Sequence, residues 1–289
     1  MKIKRTLGDR IIDAVIYSFL GCLSVITIIP FLQVLTISMS PSEEVIKYGM
    51  HLFPVKFDFE GYRSVFEYEL IWKAYYNTIV RTVLGTVLSV LLTIIGAYPL
   101  SKKYLPNRNL WTGLIVFTMY FSGGLIPTYI LVNSLGLRDS IGALIFPGAV
   151  SAFTLIVTRN FFMTIPESVE ESARMDGAND IYILYKIMIP LSLPIIATIS
   201  LWYGVGHWNA WFDCMIYMKT QSKFVLQYVL RMILLEGSIQ DMAADQMVAV
   251  NSDTMKMATL VVATLPIICV YPFLQKYFVK GVMIGSLKG

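Results

Sequence analysis

The sequence predicts an all-α membrane protein with six transmembrane helices, and two observations lead to this class. The 289 residues are 56% hydrophobic and only 15% charged, whereas soluble domains carry about 25% charged residues. The apolar residues also gather into windows that reach or approach the roughly 20 residues needed to cross the hydrocarbon core of a bilayer. A soluble domain of this composition would expose large apolar patches, so the composition argues against a soluble enzyme.

The predicted spans follow one another along the whole chain and leave little sequence for a soluble domain. The third span is short and ends at Ser122-Gly123-Gly124, so its outer boundary is the least well defined. The first span has a basic start, as a signal peptide does, but its apolar stretch is too long and no small-x-small cleavage site follows, so we expect it to be retained. The six spans are Ile11–Met39, Tyr75–Leu100, Arg108–Gly123, Ile141–Phe162, Ser192–Met218 and Met257–Val279.

The distribution of basic residues predicts that both termini are cytoplasmic. Lys and Arg are concentrated in the N-terminal segment and in the short connections on one side of the membrane, which is the cytoplasmic side by the positive-inside rule. Segment 163–190 then lies in the cytoplasm, whereas 40–73 and 219–256 are long extracytoplasmic loops. Because no internal repeat or linker is visible, residues 1–289 are predicted to form a single transmembrane domain.

Segment 163–190 is predicted to fold as a helix, a glycine turn and a second helix. Pro166 followed by Glu167 suits the first turn of a helix, where a missing N–H is harmless and an acid meets the positive end of the dipole. Gly177 is a natural stop for that helix, and Pro190 is predicted to open the fifth span. We expect this segment to present a charged surface to a cytoplasmic partner, made of Glu170, Glu171, Arg174 and Asp176.

The spacing within this segment resembles the signature loop of permease subunits of ATP-binding-cassette importers. The matching residues are Glu171-Ser172-Ala173, Gly177 and Ile187-Met188-Ile189-Pro190. The longer stretch 170–178 is similar to carbohydrate importers, including the smaller permease of the maltose system, although Ser172 replaces Ala and Ile189 replaces Leu. Segments 121–129 and 271–281 are similar to a subgroup that imports polysaccharide fragments such as alginate or rhamnogalacturonan oligosaccharides.

The resemblance implies the type I importer permease fold in a bacterial inner (plasma) membrane, and a loop helix that docks into a cleft of an ATPase subunit. The partners implied are a second permease subunit forming a heterodimer, two ATPase subunits, an extracytoplasmic solute-binding protein, membrane lipid and an oligosaccharide, with no nucleic acid. The coupling residues carried over are Glu170, Glu171, Ala173, Arg174, Asp176, Gly177, Ile187 and Pro190.

The chain carries none of the common catalytic motifs. It has no G-x-x-x-x-G-K-[ST], H-E-x-x-H or G-x-S-x-G run, and its two histidines and three cysteines show no metal-binding spacing. We therefore expect a non-catalytic subunit that binds no cofactor or metal, with ATP and Mg bound by partner ATPases. Two rivals are an intramembrane enzyme and a self-sufficient secondary sugar transporter, although secondary transporters usually have more spans in symmetric halves.

The fifth span is the richest in aromatic and polar residues, which together suit a sugar path. Aromatic faces stack on sugar rings, while Trp208 could equally belong to a lipid-facing aromatic belt. His207 is predicted to be a packing residue rather than a proton relay. Arg81 either faces a solute, in which case uronate-containing sugars are favoured, or extends toward lipid headgroups. The predicted substrate-path residues are Asn77, Arg81, Tyr120, Trp202, His207, Trp208, Asn209 and Asp213.

Overall fold

The computed structural model describes residues 7–41, 45, 52–54, 56–235 and 253–286, with side chains described as far as residue 269. The described residues form helices and contain no strand, which confirms the predicted fold class. In chain order the α-helices are α1 (Leu7–Ser38), α2 (Glu60–Glu67), α3 (Glu69–Ser101), α4 (Arg108–Tyr120), α5 (Leu125–Ser134), α6 (Ile141–Ile145), α7 (Ala152–Phe162), α8 (Glu167–Met175), α9 (Asp180–Ile183), α10 (Ile189–Leu191), α11 (Leu193–Asn209), α12 (Phe212–Tyr217), α13 (Leu226–Leu235) and α14 (Asp253–Ser286).

The chain forms two compact units. The first contains residues 1–69 and 230–265, and the second contains residues 70–229 and 266–289. In the first unit the Ser38 and Tyr62 hydroxyls share a hydrogen bond of 2.8 Å, and a Cβ at Gly61 of α2 would meet the Thr254 carbonyl of α14 at 3.0 Å. Parts of the predicted loops 40–73 and 219–256 (42–44, 46–51, 55 and 236–252) lie outside the described residues.

Among the described residues, the helices α1 and α3 are each long and apolar enough to cross a membrane alone. Three bent pairs of helices are long and apolar enough only when their two arms are taken together: α4 with α5 at 108°, α6 with α7 at 53°, and the segment 180–191 with α11 at 83°. The 34-residue α14 covers the sixth predicted span. The architecture therefore agrees with about six spans, of which several are broken rather than straight.

Three predicted boundaries need correction. The third span was expected to run to Gly123, but α4 ends at Tyr120 and the chain turns through Gly124, whose φ is +84°. The fifth span was expected to be continuous, but it breaks after Asn209 and resumes at Phe212. Pro190 does not open that span, because it lies in α10 ahead of the 83° bend. Gly124 explains the early end of α4, and Pro190 explains the interruption ahead of α11, since neither residue type favours a continuing α-helix.

Segment 163–190 does contain the predicted helix, glycine turn and second helix. Pro166 directly precedes α8 at its N-cap position, and Gly177 has a φ of +84°, a left-handed conformation that favours glycine. The second piece is α9 followed by a π-helical turn, Leu184–Met188. Pro190 lies two residues after this turn and cannot donate an N–H to it.

Candidate functional site

The helical loop 163–190 is anchored by an apolar cluster between the ends of α3 and α7 and the second helical piece. The cluster includes Tyr98, Phe162, Ile183 and Met188, all at most 6% exposed. Ala173 of α8 packs against the same cluster. The loop is therefore held by burial of apolar surface, which fixes the position of its polar residues.

Glu170 occupies the inner side of α8, against the end of α3. It forms an ion pair with Lys102, and their side chains are only 11% and 9% exposed. Sequence reasoning expected Glu170 to be presented to a partner; this prediction is wrong, because the carboxylate is enclosed with a cation. Burial lowers the pKa of Lys102, and the hydrogen bond to Glu170 opposes that shift.

Arg174 is exposed, as predicted, with 37% of its side chain accessible, and it also bonds within the loop. Its Nη2 donates to the Asp180 carboxylate at 2.8 Å and to the Tyr104 hydroxyl, and its guanidinium lies 4.8 Å from the centre of the Tyr104 ring. Glu171 and Asp176 are exposed, as predicted, as is Gly177 between α8 and α9. Ile187 is half-buried against the apolar cluster, and Pro190 is exposed.

A cavity of about 600 Å³ lies beside α8. Charged and polar side chains of the α3–α4 connection and of α8 form part of its wall, among them Lys102, Lys103, Tyr104, Glu171 and Arg174. In this wall Lys102, Lys103 and Arg174 already form ion pairs within the chain. Glu171 is exposed.

Inside the second unit, Arg81 links the broken ends of two spans. Its guanidinium pairs with Asp213, and Nη1 donates to the Ala210 carbonyl at 3.1 Å, while Nη2 donates to the Leu144 carbonyl at 3.3 Å. Ala210 lies in the break of the fifth span and Leu144 in the short α6 of the fourth. In a membrane, carbonyl groups freed by a helix break need a donor. Arg81 supplies it to Ala210 at the break of the fifth span and also bonds α6 of the fourth span.

The structure excludes one of the two alternatives that the sequence left open for Arg81. Arg81 is 2% exposed, so it does not extend toward headgroups. It lines a cavity of about 400 Å³, but its charge is paired with Asp213. Opposite charges within membrane spans usually pair with each other, so the joint presence of Arg81 and Asp213 in predicted spans was the signal that could have identified this pair.

The cavity beside Arg81 brings together four of the predicted path residues. Trp202, His207 and Asp213 line it together with Arg81, and Tyr203 joins them. The Tyr203 hydroxyl shares a 2.8 Å hydrogen bond with Thr93 and accepts one from the Ser151 backbone N–H at 3.1 Å. His207 is buried and lies so close to Gly85 that a Cβ there would be 2.5 Å from its Nε2.

The other predicted path residues lie elsewhere. Trp208 is buried against Tyr75 and lines a separate, mostly apolar cavity of about 300 Å³, where its indole nitrogen has no hydrogen-bond partner. Asn209 and Tyr120 are exposed. The Asn77 amide donates to the carbonyls of Ser222 and Phe224 at 2.8 and 3.0 Å, which ties α3 to the segment after α12.

Sequence reasoning missed Asp139, which joins two connections of the second unit. Its carboxylate accepts hydrogen bonds from the backbone N–H groups of Lys219 and Thr220 at 3.0 and 3.1 Å. The Thr220 hydroxyl and the Lys223 ammonium donate to it as well. The hydrogen bond from Lys219 is the largest of the effects that hold the pKa of this carboxyl well below its usual range.

The sequence and the fold both match known transport proteins. Residues 4–284 match the family described as binding-protein-dependent transport system inner membrane component. The chain is 43% identical to the polygalacturonan/rhamnogalacturonan transport system permease protein YtcP of Bacillus subtilis, over 97% of this chain and 99% of that protein. It is 41% identical to Protein LplC of the same organism, over 98% and 97% of the two chains.

Two crystal structures share the fold. One is a bacterial ABC transporter involved in the import of the acidic polysaccharide alginate, with a TM-score of 0.89 and 35% identity over 96% of this chain and 100% of that chain. The other is a bacterial alginate ABC transporter in complex with an alginate pentasaccharide-bound periplasmic protein, with a TM-score of 0.59 and 15% identity; at that identity the likeness concerns the fold alone. These matches confirm the resemblance and the permease fold predicted from the sequence. The chain therefore belongs to the family of inner membrane components of binding-protein-dependent transport systems.

Proposed function

We propose that this chain forms half of the translocation pathway of an ATP-driven importer of oligosaccharides derived from acidic polysaccharides. A second permease subunit completes the pathway, an extracytoplasmic binding protein delivers the sugar, and two ATPase subunits bind ATP and Mg. Both termini are cytoplasmic, so the loop 163–190 faces the ATPases. Family membership and the 35% identical chain of an alginate ABC transporter support this assembly.

One observation carries the coupling assignment: the loop exposes apolar side chains on both sides of the Gly177 turn. Met175, Ile181 and Tyr182 are 87%, 71% and 54% exposed. They lie on a loop whose opposite side is firmly packed, and exposed apolar patches of this kind mark protein contacts. The exposed Glu171 and Asp176 complete a surface suited to an ATPase cleft.

The proposed substrate class follows from the relatives. Polygalacturonan, rhamnogalacturonan and alginate are the polysaccharides named for YtcP and the structural neighbour, and uronate sugars are common to them. In this chain the Arg81 charge is balanced by Asp213, so Arg81 does not serve as the counter-ion of a uronate. We propose that the cavity lined by Trp202, Tyr203 and His207 meets ring faces and hydroxyl groups, while the carboxylates are recognised by other subunits.

Co-purification from native membranes tests the assembly. The tagged chain should bring along an ATPase, a second permease and a binding protein, identified by mass spectrometry. Gly177→Arg should lose the ATPase, because a Cβ at this position meets nothing in the chain within 4 Å and the long side chain would project into the partner. Gly177→Asn is the matched control, since Asn tolerates the left-handed conformation. Equal ATPase recovery with all three chains would refute docking at this turn.

A self-sufficient secondary transporter is the alternative, and neither the family nor the relatives support it. Uptake into proteoliposomes separates the two functions. The importer requires internal ATP and external binding protein, and its rate should not respond to dissipation of ion gradients. Uptake by the purified chain alone, driven by a proton or sodium gradient, would overturn the proposal.

A further inference from the structure

The ion pair between Lys102 and Glu170 differs in its surroundings from the one beside it. Both pairs join the residues after α3 to α8. The Lys102–Glu170 side chains are 9% and 11% exposed, whereas those of Lys103 and Glu167, 2.9 Å apart, are 73% and 61% exposed. The chain thus offers a buried pair and an exposed pair between the same two segments.

The buried pair lies within a packed junction of three helices. The Lys102 ammonium lies 4.1 Å from the centre of the Tyr98 ring, and that ring meets Phe162 edge to face at 6.5 Å. Arg159 of α7 donates from Nε to the Leu100 carbonyl at 3.0 Å. The end of α3 is therefore joined to α7 by ring contact and hydrogen bond, and to α8 through the buried charges.

Burial determines which of the two ion pairs can keep α8 and the end of α3 in a fixed relative position. An exposed ammonium exchanges its carboxylate for water with little change in free energy, so the exposed pair yields when α8 moves. A buried pair cannot separate without leaving an uncompensated charge in an apolar setting. Segments joined in that way move together, which is a mechanical property that the exposed pair lacks.

We propose that Lys102 and Glu170 are positioning residues that transmit displacement of α8 to α3, and thereby to the second membrane span. The inference rests on the proposed function, in which an ATPase moves α8. It assigns different tasks to adjacent acids: Glu171 faces outward toward the partner, whereas Glu170 faces inward and ties the moving helix to the span. Neither residue of the buried pair needs to contact the ATPase or the sugar.

The test measures ATP hydrolysis and sugar uptake together in proteoliposomes that contain the whole transporter and its binding protein. Lys102→Met should retain the ATPase subunits and hydrolyse ATP at a rate within about threefold of the unaltered transporter, while uptake falls at least tenfold. The number of ATP molecules spent per sugar therefore rises. Lys103→Met is the matched control and should change that number less than twofold.

Exchanging the charges of Lys102 and Glu170 shows whether the two residues act as a pair or each act independently. The double variant Lys102→Glu with Glu170→Lys keeps an ion pair and should restore coupling, or restore assembly if Lys102→Met fails to assemble. The proposal is overturned if Lys102→Met assembles and spends the normal amount of ATP per sugar, or if the charge exchange restores nothing. If no ATPase co-purifies with the unaltered chain, the proposed function itself is refuted instead.

Discussion

Replacement of Arg81 by Met provides the most demanding test of the membrane-embedded polar cluster. The change removes the charge partner of Asp213 and the donors to the Ala210 and Leu144 carbonyls. Removal of one member of a buried ion pair costs about 3–5 kcal/mol. Arg81 is fully enclosed, but the Asp213 side chain is 26% exposed and retains some hydration, so we expect the low end, about 3 kcal/mol.

That loss should be visible in the thermal unfolding of the purified protein. About 3 kcal/mol corresponds to a fall in midpoint of roughly 6–12 °C for a chain of this size class. The double variant Arg81→Met with Asp213→Leu removes both charges, and should lose less than Arg81→Met alone because no unpaired carboxylate remains. A midpoint within about 2 °C of the unaltered protein for Arg81→Met, or additive losses in the double variant, would refute the reasoning.

Transport measurements give the same variant a second, independent assay. If Arg81 only holds the span breaks, Arg81→Met reduces uptake of acidic and neutral oligosaccharides by the same factor. A loss confined to acidic sugars would show that the guanidinium meets the solute, contrary to the geometry.

Two further predictions concern single sites. Gly85→Ala should lower the thermal midpoint, because its Cβ would lie 2.5 Å from His207 and overpacking costs about 1–3 kcal/mol. The control is Gly113→Ala, in a helix with nothing within 4 Å of the new Cβ, which should be neutral or stabilising. Equal shifts of the midpoint in the two variants would contradict this prediction. Because the pKa of Asp139 is depressed, its contribution to stability is complete above about pH 4 and is lost as the pH falls further. Between pH 6 and pH 3 the midpoint of Asp139→Asn should therefore decline less than that of the unaltered protein; parallel declines would contradict this prediction.

The sequence allowed the spans and the loop to be predicted because both depend on local patterns. Apolar length defines a span, and the left-handed turn at Gly177 follows from the one residue type that adopts it freely. The break of the fifth span after Asn209 left no such local signal. The Ala210 carbonyl is satisfied by Arg81, 129 residues away, so the side chain that makes the break tolerable cannot be found from the residues around it.

The candidate site shows the same division between local and distant causes. Glu171 and Asp176 are exposed as predicted, whereas Glu170 is enclosed because Lys102, 68 residues earlier, lies beneath it. Helical spacing indicates which residues share a face, but not which face is covered. Likewise, Trp208 and Asn209 are adjacent in the sequence, yet one is buried and the other exposed, so a motif of neighbouring residues does not by itself define a path.

The π-helical turn Leu184–Met188 has a consequence for how the loop is aimed. A π turn accommodates one residue more than an α turn, and each residue of an α-helix advances the screw by about 100°. Deletion of one residue within 184–188 would let an ordinary helix continue and would rotate everything before it, including the Gly177 turn, by about that angle. The number of residues in this one turn thus determines the direction in which the loop faces. A deletion there would redirect the exposed surface around Gly177 without altering any residue of that surface.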